Sequence, residues 1–304
     1  MNQALSQAPS ISAPSISSSA VLIDLSISVW TGRKLDRRAS EDVAAQNNAD
    51  KGVANVYKKL LGDCAELSTA QKFAANSRST HYAITMPWSD LGMRLCPTTT
   101  YIAPEGYEFT MTGLQTEFFR LSGVFLNAYE WERSNAQIKL GKLFNPDEYP
   151  TADSLASKFK FRFTAVPLPD VGDWRLDVGN EAQRVMKEQY EKFYGDQLKG
   201  AMDDVWQRTF NALEKMSERL DYREEDKKVF RDSMVENVQG VIALLKDFNI
   251  TNDPMMNSAY RKLSQAMQGI SPDALREDAG LRMETKRSVD EVKKIIANLP
   301  GLGM

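Results

Sequence analysis

Cations at strand spacing are the residues of this chain best placed to do chemistry. In Lys158-Phe159-Lys160-Phe161-Arg162-Phe163-Thr164 charge and ring alternate without a break. A strand turns successive side chains to opposite faces, so the spacing predicts Phe159, Phe161 and Phe163 on one face and Lys158, Lys160 and Arg162 on the other. Such a row of cations suits either a solvated, guarded sheet edge or a groove that holds a phosphate backbone. A second cluster, Arg33, Lys34, Arg37 and Arg38, follows the break at Thr31-Gly32. It would extend the groove, with Trp30 or Trp88 as an exposed ring on which a base stacks.

Other chemistry is harder to assemble. His81 is the single histidine, which excludes multi-histidine metal sites and leaves one imidazole base. No GxSxG elbow accompanies it, so it reads as a satisfied histidine at a helix end. Neither a GxxxxGK[ST] loop nor a GxGxxG fingerprint occurs, which argues against nucleotide and dinucleotide binding of those kinds. Asp170, Asp173 and Asp177 crowd one loop, Asp203 and Asp204 are adjacent, and Glu224, Glu225 and Asp226 stand together. Clustered carboxylates hold magnesium in nucleases, yet loop aspartates are ordinary turn formers and acids at a helix start are favoured by its dipole. These patterns assign no catalytic residue, metal or cofactor. Cys64 and Cys96, without CxxC or zinc spacing, read as buried thiols in a reducing compartment.

The chain has 304 residues, 42% hydrophobic and 26% charged, with net charge −3. Affinity for nucleic acid would therefore come from a local patch and not from the whole-molecule field. Residues 1–20 are rich in Ser, Ala and Pro, lack a basic start and an apolar run, and read as a disordered tail and not a secretory signal. No stretch has the apolar length needed to span a bilayer, so the expected location is the cytoplasm.

The elements that must position these groups read as an α+β fold, predominantly helical. Residues 21–169 form an α+β domain with a small antiparallel sheet, and residues 170–304 a helical region packed on it. Ile23, Leu25, Ile27 and Val29 alternate as a strand. Residues 40–61 read as a helix poorly committed through Gln46-Asn47-Asn48 and ended by Gly62, and a second helix runs from Ser68 towards His81. Residues 86–92 look like a loop, and 98–102 and 107–111 flank Ala103-Pro104-Glu105-Gly106 like a strand hairpin. Residues 114–138 form an aromatic, buried helix interrupted near Gly123. From Glu181 on, apolar seams describe a long antiparallel helical hairpin. Met186, Tyr190, Phe193 and Tyr194 start its stripe, Gly195 and Gly200 weaken it by roughly 1 kcal/mol each, and Asp221 with Glu224 forms a capping box. Shorter helices follow at Asp253-Pro254, at Ser271-Pro272 and over 284–299.

Ser26-Ile27-Ser28-Val29-Trp30-Thr31-Gly32-Arg33-Lys34-Leu35, His81-Tyr82, Pro87-Trp88-Ser89-Asp90, Trp174-Arg175-Leu176-Asp177 and Phe230-Arg231-Asp232-Ser233 carry a resemblance over most of the chain after the tail. They resemble a family of phage and prophage proteins to which no activity is assigned. What the resemblance implies is company: such proteins look like companions of phage recombination and single-strand-binding genes, and of MoxR-type AAA+ ATPases with von Willebrand A partners. It singles out Trp30, Arg33, Lys34, His81, Trp88 and Arg94 as motif positions without giving them a role.

Three functions follow. The first is a non-enzymatic phage DNA-metabolism protein in the bacterial host cytoplasm, binding single-stranded DNA or assisting recombination and annealing. The second is a protein-interaction module, an adaptor of an AAA+ ATPase or a self-assembling homo-oligomeric scaffold, which uses the apolar helical seams and the charged hairpin tip around residues 221–228. The third is a metal-dependent nuclease using Asp170 and Asp173. The cation clusters and the resemblance favour the first, while the acidic balance and helix-rich second half favour the second.

Overall fold

The computed structural model describes residues 19–90, 92–168, 180–221 and 231–299, without the side chains of residues 180–183, 186, 187 and 190. Nearly all of the expected tail, the loop carrying Asp170, Asp173 and Asp177, the side chains of Met186 and Tyr190, and Glu224 with its capping box and neighbours lie outside the described residues. In order, the elements are β1 (Ala20–Ser28), β2 (Arg33–Leu35), α1 (Arg37–Gln46), β3 (Tyr57–Lys59), α2 (Ala65–Ala83), β4 (Met86–Pro87), β5 (Arg94–Pro97) and α3 (Thr98–Ile102). Then come α4 (Tyr107–Leu140), α5 (Ala152–Ala156), β6 (Lys160–Pro167), α6 (Asn180–Leu220), α7 (Ser233–Asp247), α8 (Pro254–Ala266), α9 (Pro272–Glu277) and α10 (Ala279–Ala297). The fold is α+β and predominantly helical, as the pattern predicts. Strand order in the larger sheet is β4-β5-β1-β6, and β2 pairs with β3 separately. No described helix is long and apolar enough to cross a membrane.

Two compact units divide the chain: Leu25–Ala83 with Tyr107–Thr164, and the residues up to Asp24 with Ile84–Gly106 and those from Ala165 onward. The first is an aromatic unit. Its 34-residue α4 buries Tyr107, Met111, Phe118, Ser122, Phe125, Tyr129, Glu132 and Ala136, a stripe at intervals of three, four and seven that marks one helical face. This stripe carries the helix through Gly123, contrary to the expected interruption, because a mid-helix glycine costs only about 1 kcal/mol. Helix α2 packs along α4 and starts at Ala65, three residues before the expected Ser68.

Two expectations fail here for physical reasons. The hairpin expected over 98–111 is instead α3 followed by the first turn of α4. Tyr107 and Met111 sit four residues apart and are both fully buried, a helical interval that outweighs the strand-favouring Thr and Tyr content. A Cβ on Gly106 would lie 2.2 Å from the Thr100 carbonyl oxygen, so the turn closes only around glycine. The helix expected over 40–61 is α1 and then β3, and the segment judged least committed is the helical one. Asp36 caps it by accepting from the Ala39 N–H at 3.0 Å, and Ser40, donating to the Asp36 carbonyl and accepting from the Val56 N–H, ties it to the approach of β3. Positive φ at Asn48 and Gly52 then takes the chain out of the helix.

The second unit is helical. Strand β1 pairs antiparallel with β5, Ala20 opposite Pro97 through Ile23 opposite Arg94, and residues 86–87, expected in a loop, form the short strand β4 beside β5. The 41-residue α6 runs unbroken through Gly195 and Gly200 and forms a hairpin-like pair with α7, with α10 packed on it as well. Val205, Leu213, Val238, Leu263, Val289 and Ile296 are fully buried in the shared core. Asp253 caps α8 and Ser271 caps α9 as their Asp-Pro and Ser-Pro spacing predicts, while α10 starts at Ala279, earlier than expected, under an Asp278 cap.

Gly32 holds the turn that leads into β2. Its φ is +63°, a Cβ there would meet Leu67 at 2.7 Å, and the Gln71 amide locks the turn by donating to the carbonyls of Trp30 and Thr31. Gly32→Ala should lower stability by about 1–3 kcal/mol, read as a drop in the urea midpoint at unchanged slope. In the helical unit, Ser217 and Lys286 both donate to the Asp290 carboxylate. Burial alone would raise this carboxyl, but the hydrogen bonds from Lys286 and Ser217 outweigh it and hold it below its usual range. A depressed folded-state value stabilises above the unfolded value near 4 and loses that stabilisation as pH falls through the folded value. Asp290→Asn should therefore cost about 1–2 kcal/mol at neutral pH, with the difference from the parent shrinking below about pH 4 in acid-dependent thermal melts.

Candidate functional site

Lys160 and Arg162 face outward from β6 as the alternation predicts, while Lys158, expected in the strand, lies in the turn that precedes it. Phe159 and Phe161 are buried, with Phe161 5.5 Å and Phe159 6.4 Å from Phe118 between ring centroids. Phe159 also lies 5.6 Å from Phe125. Lys158, Lys160 and Arg162 are exposed in consequence. Strand β6 is an edge of its sheet, where cations also discourage pairing with another chain.

Arg33, Lys34, Arg37 and Arg38 are exposed too, on β2 and in the first turn of α1. Because β2 pairs with β3, this cluster and the β6 row ride on different sheets. The cluster stands opposite two lysines and at a helix start. Arg33 faces Lys59 and Lys34 faces Lys58 across the ladder; both lysines have carboxylate partners, Lys59 in Asp63 and Lys58 in Glu148 and Asp36, which offsets the repulsion of like charges directly opposite. Arg37 and Arg38 stand at the positive end of the α1 dipole, in a first turn with no acidic residue. None of the seven cations makes an ion pair among the described residues. In the same unit, Lys58 pairs with Glu148 at 2.8 Å, Arg120 with Glu117 at 2.7 Å and Lys139 with Glu132 at 3.0 Å.

The aromatic half of the expected site is corrected. Trp30 is 9% exposed, stacked on Phe125 at 6.1 Å and edge-on to Tyr129 at 5.9 Å. Trp88 is 5% exposed and packs edge-on against Tyr194 at 5.2 Å. Both indoles are core residues and offer no face to a base, because the aromatic stripe of α4 and the seam of α6 bury them. His81 is buried at the end of α2, its Nδ1 2.8 Å from the Tyr107 hydroxyl, the satisfied histidine of the sequence reading. Arg94 donates from Nε to the Thr85 hydroxyl and from Nη2 to the Thr85 carbonyl, both at 2.7 Å. These bonds hold the buried Thr85. Asp204 is paired with Arg208 at 2.8 Å.

A cavity of about 400 Å³ opens at the start of α2, lined among others by Gly32, Arg33, Lys59, Cys64, Ser68 and Gln71. Donor atoms of this Cys64, of Glu66 and of Glu132 lie within 4.8 Å of one another, the one such convergence among the described residues. Cys64 and Glu132 are buried and Glu66 partly so. Burial pushes the Cys64 thiol up, and the Glu132 and Glu66 carboxylates push the same way, so it stays protonated at neutral pH. The other thiol, Cys96, is fully buried in the helical unit and pushed up to about 12 by burial, which makes it inert. Sequence reasoning missed the Cys64 cluster. Cys64 and Glu66 are near neighbours, but Glu132 reaches them only through the packing of α2 on α4, and no short motif marks that convergence.

No family model, curated protein or solved structure matches this chain. Since the indoles are structural, Trp30→Ala and Trp88→Ala should each destabilise the fold by about 3–5 kcal/mol. Denaturant titration of each variant checks this; near-parental stability would return the rings to the binding surface.

Proposed function

We propose that this chain binds a polyanion without catalysis, with single-stranded nucleic acid as the ligand class, through phosphate contacts from Arg33, Lys34, Arg37, Arg38, Lys158, Lys160 and Arg162. The observation that carries the reading is that all seven are exposed and lack ion pairs among the described residues. Four of them also cluster opposite lysines or at a helix start, where their own charge has no ion-pair partner among the described residues. An anionic backbone supplies that partner. With Trp30 and Trp88 buried, recognition is electrostatic and tolerant of sequence. The resemblance to phage proteins makes a role beside recombination and single-strand-binding proteins in a bacterial cytoplasm the fitting context.

Specific observations favour two other readings. For a metal-dependent nuclease, the convergence of Cys64, Glu66 and Glu132 donors offers one metal-binding candidate among the described residues, next to a cavity that Arg33 lines. An adaptor for an AAA+ ATPase or a self-assembling scaffold draws on α4, whose outward face exposes Val124, Trp131 and Ile138 at intervals of seven.

Fluorescence anisotropy of a labelled oligo-dT, titrated at low and moderate salt, tests the main reading. Affinity should fall with salt with a log–log slope no steeper than about −5, the value for seven single-strand phosphate contacts. Lys160→Glu with Arg162→Glu should weaken binding and flatten that slope by at least about 1 while leaving the thermal melt unchanged. Unchanged affinity removes β6 from the surface, and cleavage of the oligonucleotide only when a divalent metal is added favours the nuclease.

A further inference from the structure

We propose that Cys64, Glu66 and Glu132 form a site for one zinc-class divalent cation, with the Cys64 sulfur and one oxygen of each carboxylate as ligands. The donor set selects the metal. A thiolate beside two carboxylates suits borderline-soft Zn²⁺ or Co²⁺ and not Mg²⁺ or Ca²⁺, which take oxygen alone. The spacing agrees. Tetrahedral zinc with a sulfur near 2.3 Å and an oxygen near 2.0–2.2 Å places those donors about 3.5 Å apart, and Cys64 Sγ stands 3.5 Å from Glu66 Oε2. All three donors lie inside 4.8 Å, so closing them to tetrahedral spacing takes movements of roughly an ångström.

Charge and surroundings point the same way. Two carboxylates converge at a site where Lys139 is the cation at hand, 3.0 Å from Glu132 Oε2 and also donating to the Leu61 carbonyl. A carboxylate has two oxygens, so Lys139 can hold one while the other ligates, the outer contact that orients metal-bound carboxylates. On binding, the Cys64 thiol gives up its proton to solvent as the sulfur–metal bond forms. Three anionic ligands, a divalent ion and the Lys139 ammonium then sum to zero. Cys64 is 7% exposed and Glu132 6%, which keeps competing solvent away. Cys64 also lines the cavity shared by Arg33 and Lys59, the side from which an ion would reach the sulfur. The site does not require that nucleic acid binds.

The test is titration of the full chain with Co²⁺ alone, followed by displacement with Zn²⁺. The expected result is one cobalt per chain with a thiolate-to-cobalt absorption band, lost on adding zinc and absent in Cys64→Ser. Glu66→Gln, at a partly exposed position that leaves the Lys139–Glu132 pair intact, should weaken binding about 100-fold or more, since even outer-shell changes cost 10–100-fold. No thiolate band in the parent chain overturns the proposal. A band that survives in Cys64→Ser assigns the metal to Cys96 and overturns it as well, and unchanged affinity in Glu66→Gln removes the carboxylates as ligands.

Discussion

Ring packing between one face of α4 and the alternating segment of residues 158–164, which enters β6 at Lys160, is the contact on which the aromatic unit depends. Phe118 and Phe125 take Phe159 and Phe161 from one side, and Phe125 and Tyr129 hold Trp30 from another. Each buried ring contributes about 1.5–3 kcal/mol by removal from water, with about 0.5–1.5 kcal/mol more for each well-placed ring pair. A slip of one residue would bury Lys158, Lys160 and Arg162 and expose the phenylalanines, so the register cannot drift. The outward cationic face is thus a consequence of the core.

Electrostatics then separates cations that serve the fold from those that do not. Lys58 is almost buried and correspondingly satisfied, pairing with Glu148 and Asp36 and donating to the Leu143 carbonyl. In the helical unit, Arg94 and Arg208 both spend donors on the Thr85 carbonyl. Against that pattern, Arg33, Lys34, Arg37 and Arg38 face other cations or a helix start. Surface repulsion of this kind is weak at physiological ionic strength, so the fold tolerates it, and the same positive potential remains available to an anion.

The helical unit consumes its own apolar seam. Residues such as Val205, Leu213 and Met216 of α6 are buried with Val238 of α7 and Val289 and Ile296 of α10, so the long stripe that suggests a docking surface in the sequence is largely a core. The exposed apolar residues of α4 lie in the other unit. Capping by the Asp253 and Asp278 carboxylates and the Ser271 hydroxyl sets where the short helices begin, and α8 then packs on α7 and α10 while α9 packs on α10.

Features that depend on a residue and its near neighbours were legible in the sequence. The period of two at 158–164 gave up its inward and outward faces, Asp253-Pro254 and Ser271-Pro272 their helix starts, and the long apolar seams the predominance of helix. Where a local pattern was compatible with two structures, packing decided. Residues 98–111 have strand-like composition, yet Tyr107 and Met111 are drawn into one buried helical face, and residues 57–59 join a strand because β2 lies beside them. The grouping of 84–106 with the C-terminal helices and the burial of both candidate tryptophans have no local signature. Nor does the meeting of Glu132 with Cys64 and Glu66, which arises only when α2 lies along α4. Periodicity tells a side chain which face of its own element it occupies, whereas the groups it meets across the chain depend on how elements pack, and that is a property of the tertiary structure alone.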